Sequence, residues 1–344
     1  MKPLYAYPGS FCPPTWGHFS IVEKAAAVFP EVTIVCSRNG GKTDNWFTER
    51  ECRELWRAYP LRPNVRVATL GDFALGRPDM SQVVMIRGIR SEDDYEHEKQ
   101  VMSFNFSKFK IDKYFFIMSE DGFREISSTK VRQAASELRL KELARYVAPL
   151  VVTKLLERVL GLKNLLLVVG KPGGGKSTFL KMLAEINVNN IHLNTDSINQ
   201  ELRPLVEQAF PGQELYDVAL NRDAELTRVM AEPWLEKLAQ RLKNVPAASN
   251  VLVEIPYGLK PGKALYRFVG GKVLYVGCDD EICQRRNSER GTPQLAGFIS
   301  KIPGLDESSI IAAHNHLDLT LIDTNCSLAA LREQAEQFSR KLNG

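Results

Sequence analysis

Two short stretches of this chain carry residues suited to phosphate chemistry. Near the start runs Pro8-Gly9-Ser10-Phe11-Cys12-Pro13-Pro14-Thr15-Trp16-Gly17-His18. At the midpoint runs Gly170-Lys171-Pro172-Gly173-Gly174-Gly175-Lys176-Ser177-Thr178. Each follows an apolar run and precedes a helical pattern. A helix start offers unpaired N–H groups and a partial positive charge, so it attracts phosphate. In the first stretch, Gly9 lets the chain turn sharply off a strand, and Gly17 lets the backbone approach a ligand. His18 opens the helix, where an imidazole can donate to a phosphoryl oxygen as charge builds on it. The second stretch fits the P-loop pattern GxxxxGK[ST]. Its backbone N–H groups would wrap a β-phosphate, Lys176 would reach the β- and γ-oxygens, and Ser177 would bind Mg²⁺.

Further polar clusters follow the apolar runs. Lys42 comes after the loop Arg38-Asn39-Gly40-Gly41, Arg87-Gly88-Ile89-Arg90 after the fourth run, and Ile126-Ser127-Ser128-Thr129-Lys130-Val131-Arg132 after the fifth. In an open α/β sheet such clusters share the carboxyl edge, where ligands bind. In the second half, Asp196 follows the run 191–193 and suits the base that orients a phosphoryl acceptor; Thr195-Asp196 also reads as a helix cap. Arg285, Arg286 and Arg290 lie in and after a helix beyond the run 272–276, placed to close over phosphates.

The elements that must position these groups alternate. Strands are expected at residues 4–7, 32–36, 65–70, 83–86 and 114–118, with helices at 18–28, 48–58, 93–104 and 128–136. Paired helices over 140–160 close this half. The alternation restarts with strands at 165–169, 191–193, 251–255, 272–276 and 317–321 and helices at 176–183, 281–289 and 328–342. A long helical stretch is expected to break at Pro233. This pattern predicts two α/β domains, each a parallel sheet with covered faces: residues 1–160, a linker at 161–164, and residues 165–344.

At 344 residues the chain has room for both. It is 44% hydrophobic and 25% charged, as soluble globular proteins are. A net charge of +4 is too small to argue for nucleic acid. No apolar run approaches the roughly 18 residues that span a bilayer. Lys2-Pro3 and a short strand stand where a signal peptide would have its apolar segment. The six cysteines, Cys12, Cys36, Cys52, Cys278, Cys283 and Cys326, lack CxxC spacing and read as free thiols in a reducing compartment. A cytoplasmic protein without membrane or nucleic-acid partners is expected, with a homo-oligomer left open.

The first half resembles the nucleotidylyltransferase superfamily, and most closely bacterial phosphopantetheine adenylyltransferase. The (T/H)xGH motif matches Thr15-Trp16-Gly17-His18, and RGxR…D-[FY]-E-x-E matches Arg87-Gly88-Ile89-Arg90 and Asp94-Tyr95-Glu96-His97-Glu98. ISSxxV matches Ile126-Ser127-Ser128-Thr129-Lys130-Val131, and Lys42 precedes Phe47-Thr48-Glu49-Arg50 as the family lysine does. The resemblance covers about residues 1–158. It implies a Rossmann-like fold and attack by the phosphate of 4′-phosphopantetheine on the α-phosphorus of ATP. His18 would then stabilise the transferring phosphate, with Phe11 and Gly17 beside the nucleotide. Ser10 and Lys42 would hold the acceptor phosphate, and Arg87 would sit beside that phosphate or the nucleotide. Gly88, Arg90, Ser127 and Ser128 would cradle the polyphosphate, and Glu98 would orient the basic groups. Cys12 stands where the family has Asp.

The second half resembles dephospho-coenzyme A kinase. The likeness rests on the P-loop, with Gly170, Gly173, Gly175, Lys176, Ser177 and Thr178 as nucleotide contacts, on Asp196, on Val253-Glu254-Ile255-Pro256, on the run ending at Arg286, and on Leu321-Ile322-Asp323-Thr324-Asn325. It departs at Ile255-Pro256-Tyr257-Gly258-Leu259 and Asn194-Thr195-Asp196. Together the halves imply a bifunctional, coenzyme A synthase-like enzyme using ATP and Mg²⁺ on a small phosphorylated substrate. Two alternatives stand beside it. One is a nicotinamide mononucleotide adenylyltransferase fused to ribosylnicotinamide kinase. The other is a nucleotide-binding regulator with decayed catalysis.

Overall fold

A computed structural model describes residues 3–38, 46–75, 80–90, 92–213, 217–218, 221–255, 271–291 and 318–344. Lys42 and the segment Pro256-Tyr257-Gly258-Leu259 lie outside the described residues. The chain divides into two units: Met1–Ala134 with Arg145–Val151, and Ala135–Ala144 with Val152–Gly344.

The first unit is built on β1 (Leu4–Gly9), β2 (Val32–Cys36), β3 (Val65–Thr69), β4 (Val83–Ile89) and β5 (Lys113–Met118). They pair in parallel in the order β3-β2-β1-β4-β5. Parallel strands need helical crossovers on both faces, so central strands are apolar throughout. In β2, Val32, Ile34, Val35 and Cys36 are all buried. The covering helices include α1 (Trp16–Val28), α2 (Glu49–Leu55), α3 (Leu70–Ala74), α4 (Glu92–Phe109) and α5 (Ser128–Ser136). From β1 the chain winds outward to β3, then returns to β4 on the other side of β1. That reversal opens a crevice at the carboxyl ends of β1 and β4.

Helices α6 (Leu140–Tyr146) and α7 (Pro149–Leu160) follow. The second unit repeats the architecture with β6 (Asn164–Val169), β7 (Asn190–Asn194), β8 (Asn250–Glu254), β9 (Lys272–Gly277) and β10 (Asp318–Asp323), in parallel order β10-β9-β6-β8-β7. Here β6 is the switch strand, with β8 and β9 on either side. Its helices are α8 (Lys176–Ile186), α9 (Asp196–Ala209), α10 (Asp223–Lys243), α11 (Asp280–Glu289) and α12 (Leu328–Asn343). One face of the sheet packs Val168, Leu252, Leu274 and Val276 against Phe179, Leu183, Ala335 and Phe338. The fold class is therefore α/β with two five-stranded parallel sheets among the described residues, as the sequence predicts.

Two local expectations fail. The break at Pro233 does not occur, because α10 runs through it. A proline inside a helix costs about 3 kcal/mol. Leu226, Met230, Trp234, Leu238 and Leu242 lie buried on both sides of it, and burying five large side chains outweighs that cost. Helix α3 was not expected. Its five residues are too few to show a period, and its start is fixed by Thr69, whose Oγ1 accepts from the Asp72 N–H at 3.1 Å.

Candidate active sites

In the first unit a cavity of about 360 Å³ lies at the carboxyl ends of β1 and β4. Ser10, Phe11, Gly17 and His18 line it from the β1–α1 segment. Arg87, Gly88 and Arg90 line it from β4, and Ser127 and Ser128 from the start of α5. So nine of the expected residues converge on one space. Glu98 stands behind them, and Lys42 lies outside the described residues.

The β1–α1 loop takes its shape from an aromatic floor. Phe11 has φ 43°, a left-handed conformation that costs a non-glycine residue roughly 1–2 kcal/mol. Its ring is 3% exposed and packs at 5.2 Å from each of Tyr7, His18 and Trp56. Loop carbonyls are fastened from outside. Tyr59 Oη donates to Pro14 O at 2.8 Å, Ser128 Oγ to Pro13 O at 2.8 Å, and Arg132 to Cys12 O at 2.7 Å. In the sequence Arg132 is legible only as part of a motif; its contact joins residues 120 positions apart and leaves no local trace.

His18 has a defined tautomer. The Thr15 N–H donates to its Nδ1 at 3.1 Å, and the Thr15 hydroxyl caps the His18 N–H at 3.3 Å. Nδ1 accepts, so Nε2 carries the hydrogen. Burial, and then the nearby Arg90 guanidinium, push the imidazole down to about 4. At neutral pH it is an uncharged N–H donor on the cavity wall.

Arg87 is clamped by Glu98 through two bonds of 2.6 and 2.5 Å and also donates to Pro8 O at 3.0 Å. It braces the end of β1 as much as it faces the cavity. Arg90 is exposed and held by Asp94 at 2.9 Å. Cys12 accepts from the Phe47 N–H at 3.3 Å. A hydrogen bond from Cys52, opposed by burial and helped by the Phe47 and Trp46 amides, brings the Cys12 thiol down to about 6.

The second unit carries its site on the loop from β6 to α8. Gly173 and Gly175 have φ of 78° and 85°. A Cβ on Gly173 would come within 2.5 Å of Cys283 O, and one on Gly175 within 2.8 Å of Thr324 Cγ2. Both positions require glycine. Lys176 Nζ donates to Gly170 O at 2.9 Å and Lys171 O at 3.1 Å, with Glu254 Oε1 at 3.9 Å. Burial pushes the lysine ammonium down, and Glu254 and Asp196 oppose it.

Arg286, expected from the sequence to close over phosphates, is instead tied to the β6–α8 loop. It donates to Gly173 O at 3.3 Å and to Thr324 O at 3.0 Å. Asn287 donates to Pro172 O at 3.0 Å and Thr324 Oγ1 to Gly174 O at 3.0 Å. Ser177 is exposed and Thr178 half-buried at the start of α8. Asp196 opens α9; desolvation first and Glu254 second push its carboxyl up. Glu254 differs. Burial works against its charge, yet His192 and Lys176 hold it below the usual glutamate range. Two acidic groups pushed apart in this way suit different tasks. Ser177 and Glu254 supply hard oxygens of the kind Mg²⁺ takes alongside phosphate. Among the described residues no cluster of three His, Cys, Asp or Glu side chains could hold a metal unaided. Among them too, no helix is long and apolar enough to cross a membrane.

Residues 6–134 match the family model described as Cytidylyltransferase-like. A phosphopantetheine adenylyltransferase from Petrotoga mobilis is 30% identical over 156 residues, covering 45% of this chain and 95% of the relative. Another, from Legionella pneumophila strain Paris, is 31% identical over 162 residues, covering 46% of this chain and 94% of the relative. Among solved structures, the crystal structure of NadR protein in complex with NR overlaps 100% of this chain and 97% of that one, at 13% identity and a TM-score of 0.32.

Proposed function

The amino-terminal half of this chain belongs to the phosphopantetheine adenylyltransferase family, and from that premise we propose that it transfers an adenylyl group from ATP to 4′-phosphopantetheine. A phosphate oxygen of the acceptor attacks the α-phosphorus. The new P–O bond forms as the bond to the β-phosphate oxygen breaks, and pyrophosphate leaves. No group on the protein forms a covalent bond, so the work is positioning and charge stabilisation. The observation that carries the reading is the His18 tautomer. With Nδ1 occupied by the Thr15 N–H, the Nε2–H is available to oxygens gathering charge in the cavity. Arg90 and the start of α5 supply further positive potential for the pyrophosphate. Lys42 is assigned to the acceptor phosphate by its place in the motif.

The carboxy-terminal unit is proposed as a P-loop kinase acting on the product, dephospho-coenzyme A, at its ribose 3′-hydroxyl. Lys176 would exchange its two loop carbonyls for phosphate oxygens. Asp196 would orient the hydroxyl and take its proton. Mg²⁺ entering with ATP, beside Ser177 and Glu254, would neutralise phosphate charge.

Purified chain with ATP, Mg²⁺ and 4′-phosphopantetheine should release pyrophosphate, and with ATP and dephospho-coenzyme A should release ADP. Folded protein that releases neither product defeats both proposals. Preference for nicotinamide mononucleotide over 4′-phosphopantetheine replaces the first.

A further inference from the structure

His192 belongs to none of the motifs of the second unit, yet it holds one of its two acidic groups. It lies on β7, the edge strand, in register with Leu252 of β8. Glu254 is two residues beyond Leu252, so it projects from the same face of the sheet. His192 Nε2 meets Glu254 Oε2 at 2.8 Å. The other oxygen, Oε1, is turned toward Lys176 Nζ at 3.9 Å. Glu254 is only 8% exposed, so its orientation is set by these partners and not by water. Lys176 is a loose partner, because its hydrogen bonds go to Gly170 O and Lys171 O. His192 is therefore the group that fixes the carboxylate.

Polyphosphate binding changes this balance. Lys176 must turn to phosphate oxygens, and Glu254 Oε1 loses its nearest cation. A buried carboxylate oxygen without a cation is costly. It is then matched to a divalent ion that accompanies the polyphosphate. Asp196 is poorly placed for that duty. It is exposed, and it opens α9 on the acceptor side, with its N–H bonded to Asn194 Oδ1 at 2.8 Å.

We infer that His192 is a positioning residue of the second site, whose hydrogen bond to Oε2 aims Oε1 of Glu254 at the cation of a metal–polyphosphate. The inference rests on the phosphoryl-transfer reading of this unit. The imidazole touches neither nucleotide nor metal; it acts through the carboxylate. Outer partners of this kind change metal affinity about 10- to 100-fold.

The test is binding of a fluorescent ATP analogue to the full chain over a Mg²⁺ titration. Only the signal that Lys176→Ala abolishes is read, which separates this site from the first. His192→Leu should raise the Mg²⁺ needed for half-maximal enhancement about tenfold or more, with metal-free binding unchanged. His192→Gln can still donate to Oε2 and should restore most of the metal dependence. Should the leucine variant not fold, His192→Asn, too short to reach, takes its place. A His192→Leu or His192→Asn chain with wild-type Mg²⁺ dependence overturns the inference. Equal weakening with and without Mg²⁺ also overturns it, since that marks a merely structural histidine. Wild-type chain that binds the analogue with no Mg²⁺ effect sinks this inference and leaves the loop a nucleotide site. No Lys176-dependent binding at all sinks the kinase reading itself.

Discussion

The loops at the carboxyl edges of the two sheets use one device by opposite means. An anion site needs N–H groups facing the ligand and carbonyl oxygens facing away. In the first unit the carbonyls of Cys12, Pro13 and Pro14 are taken in succession by Arg132, Ser128 and Tyr59. In the second, those of Gly170 to Gly174 are taken by Lys176, Asn287, Arg286 and Thr324. The difference lies in the loops. The β6–α8 loop reaches its shape with positive-φ glycines, which bend at little cost. The first loop forces Phe11 to φ 43° and holds it there with an aromatic floor. Both loops are fastened from outside, but only the first holds a non-glycine residue in the left-handed region.

The sharpest way to break the comparison is to separate the two chemistries. His18→Ala removes a donor to developing charge and should lower adenylyl transfer about 10²- to 10³-fold while phosphoryl transfer continues. Lys176→Ala should do the reverse, by a similar factor of about 10² or more. Paired assays of pyrophosphate and ADP release on each variant measure this. If either substitution silences both reactions in folded protein, the two edges are not independent sites.

The next effect is on the loops. Arg132→Met frees the Cys12 carbonyl and Asn287→Leu the Pro172 carbonyl. Each takes the partner from a part-buried loop carbonyl, at a cost of about 1 kcal/mol. The loop that holds Phe11 at positive φ should suffer more. Chemical denaturation and the KM for ATP in each half-reaction would show it. Greater sensitivity in the glycine loop would invert the comparison.

Cys12 probes the same point more gently. Cys12→Ala removes the acceptor for the Phe47 N–H and should cost about 1 kcal/mol of stability, with weaker adenylyl transfer. Cys12→Asp restores an acceptor and should hold or raise activity. Loss of activity in Cys12→Asp would mean that the thiol is itself required.

What the sequence disclosed follows from distance along the chain. Thr15 to His18 and Gly170 to Ser177 are local signals, because a helix start and a tight loop need particular residues at fixed offsets. The alternation of apolar runs predicts parallel sheets because buried strands are apolar on both faces. Pairings across the sheet leave no such mark. His192 and Glu254 are 62 residues apart, and nothing in either neighbourhood announces the other. Arg286 is legible in the sequence only as a basic residue of a helix beyond a strand. That it pins the loop from beneath depends on how α11 packs, which composition does not encode. Pro233 misleads for a related reason: helix propensity is local, and the burial that overrides it is not.

The smallest expected effect concerns protons, and here the two units move in opposite directions. His18 is pushed down to about 4, by burial first and Arg90 second. An unfolded imidazole titrates near about 6.5. As pH falls from about 6.5 toward 4, the unfolded chain gains a proton that the folded chain refuses, so this group's contribution to stability is lost across that window. Above it the contribution is full. Asp196 is pushed up, by desolvation first and Glu254 second, so its folded form keeps a proton to higher pH than an ordinary carboxyl. A base must be deprotonated to accept a proton, whereas His18 needs only to remain a neutral donor. On acidification phosphoryl transfer should therefore fall away at a pH above the range of an ordinary carboxyl, read in its kcat/KM profile. An NMR titration of His18 ring resonances fixes the lower limb, with a midpoint expected at about 4. A midpoint near the ordinary value of about 6.5 would mean that the ring is open to water and charged for part of the working range. The donor geometry set by Thr15 would then no longer define its role.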